Sequence, residues 1–159
     1  MNKWKAVIID DEEDFCFLLS QLLEATGKFD VLYAHDGDQG HNLVIEKQPH
    51  LVFLDYVMPR MRGDEVIEAL RADERTKNIP IIITSGLGEA AYVQKVTQKE
   101  KSQGVVKNEE GRLPLPRELN KAEEDQLTGL LGAQGFLEKP FSKDALFQIV
   151  RKVLGDYTI

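Results

Sequence analysis

The sequence predicts an α/β fold: a parallel sheet with helices on both of its faces. Two observations predict it. Short apolar runs recur at Trp4–Ile9, Val31–Ala34, Leu51–Leu54, Ile79–Ile83 and Gly135–Glu138. Between the first four lie stretches with helical spacing and short connections, the alternation that a parallel sheet requires. The run Leu51-Val52-Phe53-Leu54 is apolar without a break, as in a strand buried on both sides.

Each element has its own signal. Lys5 interrupts the first run, which ends in Asp10-Asp11-Glu12-Glu13-Asp14, a carboxylate-rich loop whose charges also suit the first turn of a helix. Phe15, Leu18, Leu19, Leu22 and Leu23 recur at helical spacing, with Gly27 as the stop. After Val31–Ala34, Asp36 caps a helix carrying Leu43, Val44 and Ile45, which Pro49 ends. The Leu51 strand delivers Asp55 to its C-terminal end. Pro59 and Gly63 then mark a loop, Gly63 as a residue that tolerates positive φ. Asp64 is placed to cap a helix with Val66, Ile67, Ala69 and Leu70 inward, running out near Arg75. Ile79–Ile83 leads into Thr84-Ser85-Gly86. Near the end, Ser142 caps a helix with Ala145, Leu146, Ile149, Val150 and Val153 on one stripe.

The stretch between Ser85 and Lys139 is longer than one helix and two loops need. It reads as a helix over Glu89–Lys101, a hairpin around 108–111, an extended Leu113-Pro114-Leu115-Pro116, and a helix opened by Asn120 and Glu123. The whole of 1–159 is read as a single domain with an insertion at about 98–128. Basic and acidic residues nearly balance in that insertion, which either makes a private partner surface, blocks a dimer, or is a tolerated surface addition.

The totals limit the function. At 159 residues, with 42% hydrophobic and 30% charged residues, the chain is an ordinary globular one. A formal net charge of -7 argues against a nucleic-acid surface, which needs a positive field. The apolar runs are too short to span a bilayer, and Asp10-Asp11 interrupts the only early run that could serve a signal peptide. The single Cys16, set among Phe15, Phe17 and Leu18, has no intrachain partner and reads as a buried small hydrophobe in a reducing cytoplasm. His35, His41 and His50 share no metal-ligand spacing and read as surface or loop residues.

The groups that carry chemistry fall at strand ends. Asp10 and Asp11 follow the first strand, Asp55 the third, Ser85 the fourth and Lys139 the fifth. In an open α/β sheet that rim is where ligands bind. Each residue alone has an ordinary reading: a helix first turn, a turn residue, a solvated lysine. Together, three carboxylates in one cleft either keep a proton or hold a cation, and an all-oxygen set suits Mg²⁺ or Mn²⁺ rather than Zn²⁺. A cation, a hydroxyl and an ammonium bind a phosphoryl group, with Asp55 as the nucleophile that forms an acyl phosphate.

Four stretches and one glycine, in this order, carry a resemblance: Ile8-Ile9-Asp10-Asp11-Glu12, Leu54-Asp55-Tyr56-Val57-Met58-Pro59, Gly63, Pro80 to Ser85-Gly86, and Lys139-Pro140-Phe141. The chain resembles the receiver domain of two-component response regulators. The resemblance implies five parallel strands in the order 2-1-3-4-5. It implies Asp55 as phosphoacceptor, and Mg²⁺ held by Asp11, Asp55 and the backbone carbonyl of Val57, with Asp10 acting through water. It implies Ser85, five residues after Pro80, as the hydroxyl that moves toward the phosphoryl oxygen, with Thr84 as the fallback, and Lys139 as the ammonium that pairs with the phosphoryl group. Phe136 falls at the switch aromatic, often Tyr in the family, and lacks the hydroxyl. The side chain of Val57 offers nothing to an attacking water. The implied function is a stand-alone receiver, phosphorylated by a histidine kinase or phosphotransfer protein, that catalyses its own phosphorylation and dephosphorylation without being an enzyme. Its output passes through a downstream protein, with no direct contact to nucleic acid or membrane. The rivals are a receiver-like module that is never phosphorylated and an aspartyl-phosphate phosphohydrolase. The dehalogenase-like phosphohydrolases carry a second Asp where Val57 stands. A dinucleotide-binding domain lacks its G-x-G-x-x-G after the first strand.

Overall fold

The structure is a computed structural model that describes residues 2–56, 58–86, 129 and 132–155, and the backbone alone of Ser85. Five strands form one parallel sheet: β1 (Trp4–Ile9), β2 (Phe29–Ala34), β3 (Leu51–Asp55), β4 (Ile81–Ser85) and β5 (Gly135–Glu138). Their order is β2-β1-β3-β4-β5, with every neighbouring pair parallel. The described helices are α1 (Glu13–Glu24), α2 (Gly37–Lys47), α3 (Gly63–Ala72) and α4 (Lys143–Leu154). The segment 87–128, with the helices and hairpin expected there, lies outside the described residues.

The sheet has a core on each face because its central strands alternate between two apolar sets. Val7, Ile9, Val52, Leu54, Ile81 and Ile83 pack with Val44 of α2 and with Val66, Ile67 and Leu70 of α3. Ala6, Ile8, Leu51, Phe53 and Ile82 pack with Cys16, Leu19 and Leu23 of α1 and with Leu146, Phe147 and Val150 of α4. The period of two in the strands thus divides a continuous apolar run between two helix layers.

Local chemistry explains where the elements begin. Asp36 accepts a hydrogen bond from the Gln39 amide at 2.8 Å and Ser142 accepts one from the Ala145 amide at 3.1 Å, the two expected caps. Asp64 is not a cap: the cap is Arg62, two residues earlier, and α3 starts at Gly63. The Arg62 amide donates to Glu65 at 2.7 Å, and the Arg62 guanidinium pairs with Asp64 at 2.8 Å. The fourth strand begins at Ile81, not Ile79, because the Ile79 amide closes a turn onto the Thr76 carbonyl at 3.0 Å and Pro80 has no amide to give. The Pro80 carbonyl accepts from the Val52 amide at 2.9 Å, so pairing starts there. Phe29 and Asp30 extend the second strand at its start.

Arg71, in the last turn of α3, ties the chain that precedes β5 to the sheet. Its guanidinium donates to the carbonyls of Gly132 at 2.7 Å and Ile79 at 2.9 Å, and to Gln134 Oε1 at 3.0 Å. Gln134 Oε1 also accepts from the Ile81 amide at 2.8 Å. The entrance to β4 and the entrance to β5 are thereby held by one side chain.

Candidate functional site: an acidic pocket at the strand ends

Parallel strands end on the same rim, and here the rim gathers charge. Asp10 follows β1, Asp55 ends β3, and Asp11 stands at the start of the loop into α1. One carboxylate oxygen from each of Asp10, Asp11 and Asp55 lies within 4.8 Å of the others. Asp10 and Asp55 are buried, and Asp11 is exposed. The three expected acidic residues therefore meet.

Asp10 is held from several sides. Its amide donates to the Ala34 carbonyl at 3.0 Å, which continues the β1–β2 ladder by one step. Its Oδ1 accepts from the Glu12 amide at 2.9 Å, and its Oδ2 accepts from Lys139 Nζ at 2.7 Å. Its carbonyl accepts from Cys16 Sγ at 3.4 Å and faces His35 Nδ1 at 3.2 Å. That last contact is a hydrogen bond when the ring proton sits on Nδ1. Burial pushes the Asp10 carboxyl above the usual range, and the hydrogen bonds from Lys139 and Glu12 offset this only in part. Burial would lower the Lys139 ammonium, but its hydrogen bond to Asp10 and the charges of Asp10, Asp55 and Glu12 outweigh that, and the net shift is upward.

Lys139 reaches the pocket from the end of β5, before a cis peptide to Pro140. Its side chain is 11% exposed. The ammonium also lies 3.4 Å from Glu12 Oε1 and 3.9 Å from the centre of the Phe15 ring. The Phe15 ring meets Phe141 edge-to-face at 5.9 Å. Phe15, expected only as part of an apolar stripe, therefore forms one wall for the ammonium.

Gly63 has a different role from the expected one. It does not adopt positive φ. A Cβ built on it would lie 2.7 Å from Tyr56 Cα and 2.9 Å from the Asp55 carbonyl oxygen. The start of α3 thus presses directly on the backbone that carries Asp55, and only a missing side chain allows the approach.

Ser85 closes β4 opposite Glu138 of β5. Its side chain, like all of Val57, lies outside the described residues. Phe136 is partly buried against the core under α2 and α3. Cys16 is buried, as expected, and its thiol is pushed up to about 12, first by burial and then by the charge of Asp10. His35 lies in the loop after β2, as expected, and is half-buried with Nδ1 3.2 Å from the Asp10 carbonyl oxygen.

The donor set fits a small hard cation. Oxygens around one octahedral Mg²⁺ at about 2.1 Å lie about 3.0 Å apart when adjacent and about 4.2 Å apart when opposite, so carboxylate oxygens within 4.8 Å of one another are close enough to gather about one ion directly or through its water. Asp11, Asp55 and Asp10 are the side chains that would hold it.

The model of the response regulator receiver domain matches residues 6–114. The chain belongs to the response regulator receiver domain family. Among its relatives, the probable chemotaxis protein CheY of Rhizobium etli is 36% identical over 97 residues, which cover 61% of this chain and 75% of that protein. The DNA-binding dual master transcriptional regulator RpaA of Synechocystis is 40% identical over 85 residues, 54% of this chain but 35% of that regulator. The chain spans about half the length of further transcriptional regulators that it matches. The structure of the chemotaxis protein CheY4 of Vibrio cholerae shares the fold, with a TM-score of 0.67 and 21% identity, over 95% of this chain and 98% of that one. The family belongs to two-component signalling: its receivers partner histidine kinases and take a phosphoryl group on an aspartate beside an acidic metal pocket. In this receiver that pocket is Asp10, Asp11 and Asp55, and the domain is a phosphoacceptor switch rather than a classical enzyme. Receiver domains are typically cytoplasmic. Among the described residues, no helix is long and apolar enough to cross a membrane.

Proposed function

We propose that this receiver takes a phosphoryl group on Asp55 from a histidine kinase or a histidine phosphotransfer protein, and that Mg²⁺ is required. An Asp55 carboxylate oxygen attacks phosphorus, the P–N bond of the phosphohistidine breaks, and the imidazole leaves and takes up a proton. Return to the resting state is attack by water on the acyl phosphate, which releases inorganic phosphate and the carboxylate. A cation held there would supply positive charge to the phosphoryl oxygens. Asp11 and Asp55, with the Val57 carbonyl, are its proposed direct ligands, and Asp10 acts through water. Lys139 pairs with the phosphoryl group and Ser85 donates to it. The single observation that supports this reading is the meeting of three carboxylates within 4.8 Å beside an ammonium 2.7 Å from one of them.

Phosphorylation then biases a two-state surface that includes Ser85 and Phe136. Lacking a hydroxyl, Phe136 serves as an apolar in-or-out element. The output is proposed to pass to a protein partner in the cytoplasm, with no direct contact to nucleic acid or membrane. The net charge of -7 supports that choice over the DNA-binding role named for RpaA. Residues 1–159 act in this proposal as one receiver unit, with 98–128 as an insertion.

The test is incubation with a small acyl or amido phosphate and Mg²⁺, followed by intact mass. The reading expects one added phosphoryl group, lost with EDTA and in Asp55→Asn. Labelling that survives Asp55→Asn would refute the assignment. No labelling under conditions that label a known receiver would favour an unphosphorylated binding module.

A further inference from the structure

Thr84 is 1% exposed, and its Oγ1 has no hydrogen-bond partner. Among the described residues it is the sole buried side-chain polar atom left this way. A buried hydroxyl in that condition destabilises the fold, which a valine of the same shape would not do. The place of the cost is informative. Thr84 is the β4 partner of Asp55 in the β3–β4 register. Paired residues of parallel strands share a face. Phe53 and Ile82 both lie in the core under α1 and α4, while Leu54 and Ile83 both lie in the core under α2 and α3. One step further along, Asp55 and Thr84 therefore share the α1–α4 face, about 4.8 Å apart in the strand-pairing direction. That is also the side from which Phe15 supports the Lys139 ammonium.

We propose that Thr84 is a second hydroxyl of the phosphorylation site, distinct from Ser85, which donates to an oxygen of the Asp55 side chain once that side chain carries its phosphoryl group. The proposal rests on Asp55 as the phosphoacceptor. A rotation about χ1 exchanges the threonine hydroxyl with its methyl group, so no backbone movement is needed. In the resting state the hydroxyl is unsatisfied. In the phosphorylated state it gains an anionic acceptor, where hydrogen bonds are strong. The residue thus penalises one state and favours the other, the differential that a switch needs.

The experiment compares wild type, Thr84→Val and Thr84→Ser, using beryllium fluoride with Mg²⁺ as a phosphoryl mimic. Resting stability is read by urea unfolding without the mimic, and affinity by fluorescence or NMR titration. For Thr84→Val the expected result is resting stability equal to or above wild type, together with about 5–10-fold weaker binding of the mimic. Thr84→Ser restores most of the affinity. Wild-type affinity in Thr84→Val overturns the proposal. So does a loss of resting stability in Thr84→Val, because the hydroxyl would then already be satisfied, for example by a buried water. If wild type binds no mimic at all, the reading of Asp55 falls and this one with it. Normal binding by wild type with an unaffected Thr84→Val removes only the role of Thr84.

Discussion

Replacing Lys139 with methionine keeps the length of the side chain and removes its charge. Asp10 then loses its 2.7 Å partner while it stays fully buried. Breaking a buried pair in this way costs about 3–5 kcal/mol. Three features of the site set the figure. Lys139 is 11% exposed, and Asp10 keeps its bond from the Glu12 amide, so the lower end applies. The contact to the two-thirds-exposed Glu12 adds little. A loss of about 3 kcal/mol at pH 8 is expected. The pH dependence has a definite sign. Burial already raises the Asp10 carboxyl, and removal of Lys139 raises it further. Between the ordinary carboxylate range and that raised value, the folded state binds more protons than the unfolded one. Stability then falls as pH rises through that window, and acid restores it. The raised Lys139 ammonium acts elsewhere: its contribution is complete below the ordinary lysine range and fades only in strong alkali. Urea unfolding of wild type and Lys139→Met at pH 8 and pH 5 measures the difference. It should shrink at the lower pH, and Asp10→Asn added to Lys139→Met should recover at least half of the loss. A difference below about 1 kcal/mol at pH 8, or one that does not change with pH, would refute the buried-pair argument.

Three further outcomes follow from the packing. Gly63→Ala forces a Cβ to within 2.7 Å of the Tyr56 Cα, and should cost about 1–3 kcal/mol while slowing phosphorylation through displacement of Asp55; urea unfolding and labelling rate check both. Arg71→Ala leaves the carbonyls of Gly132, Lys77 and Ile79 without their donor, and should cost about 3 kcal/mol by chemical denaturation. Arg71→Lys should recover less than half, because a point charge cannot span that fan of acceptors. Cys16, buried with its thiol pushed up to about 12, should resist iodoacetamide at pH 8 in the folded protein and react at once in urea, as mass spectrometry would show.

Much of the site is legible in the sequence because the rim of a parallel sheet is a one-dimensional signal. Asp10, Asp55 and Lys139 each follow an apolar run, so strand ends can be counted without knowing how the strands are arranged. The two-sided core is legible for the same reason: Leu51–Leu54 has no polar member to turn toward water. What escapes is close approach between segments far apart in the chain. Gly63 looks like any loop glycine until α3 is seen against the Tyr56 backbone. Arg71 looks like a surface residue at a helix end, since its partners are carbonyls, which every residue has. Phe15 fits its helical stripe equally well with or without an ammonium over its ring. Asp64 fails as a cap because Arg62 and Glu65 satisfy the first turn between them, a choice made by geometry rather than by residue type.

Phosphoryl transfer to this receiver turns on one carboxylate. Treating the phosphorylated protein with borohydride reduces an aspartyl phosphate to homoserine, and peptide mass spectrometry then names the position. Homoserine is expected at residue 55, dependent on Mg²⁺ during labelling and absent elsewhere. Homoserine at residue 10 or 11, or phosphate on a residue outside the acidic pocket, would contradict it.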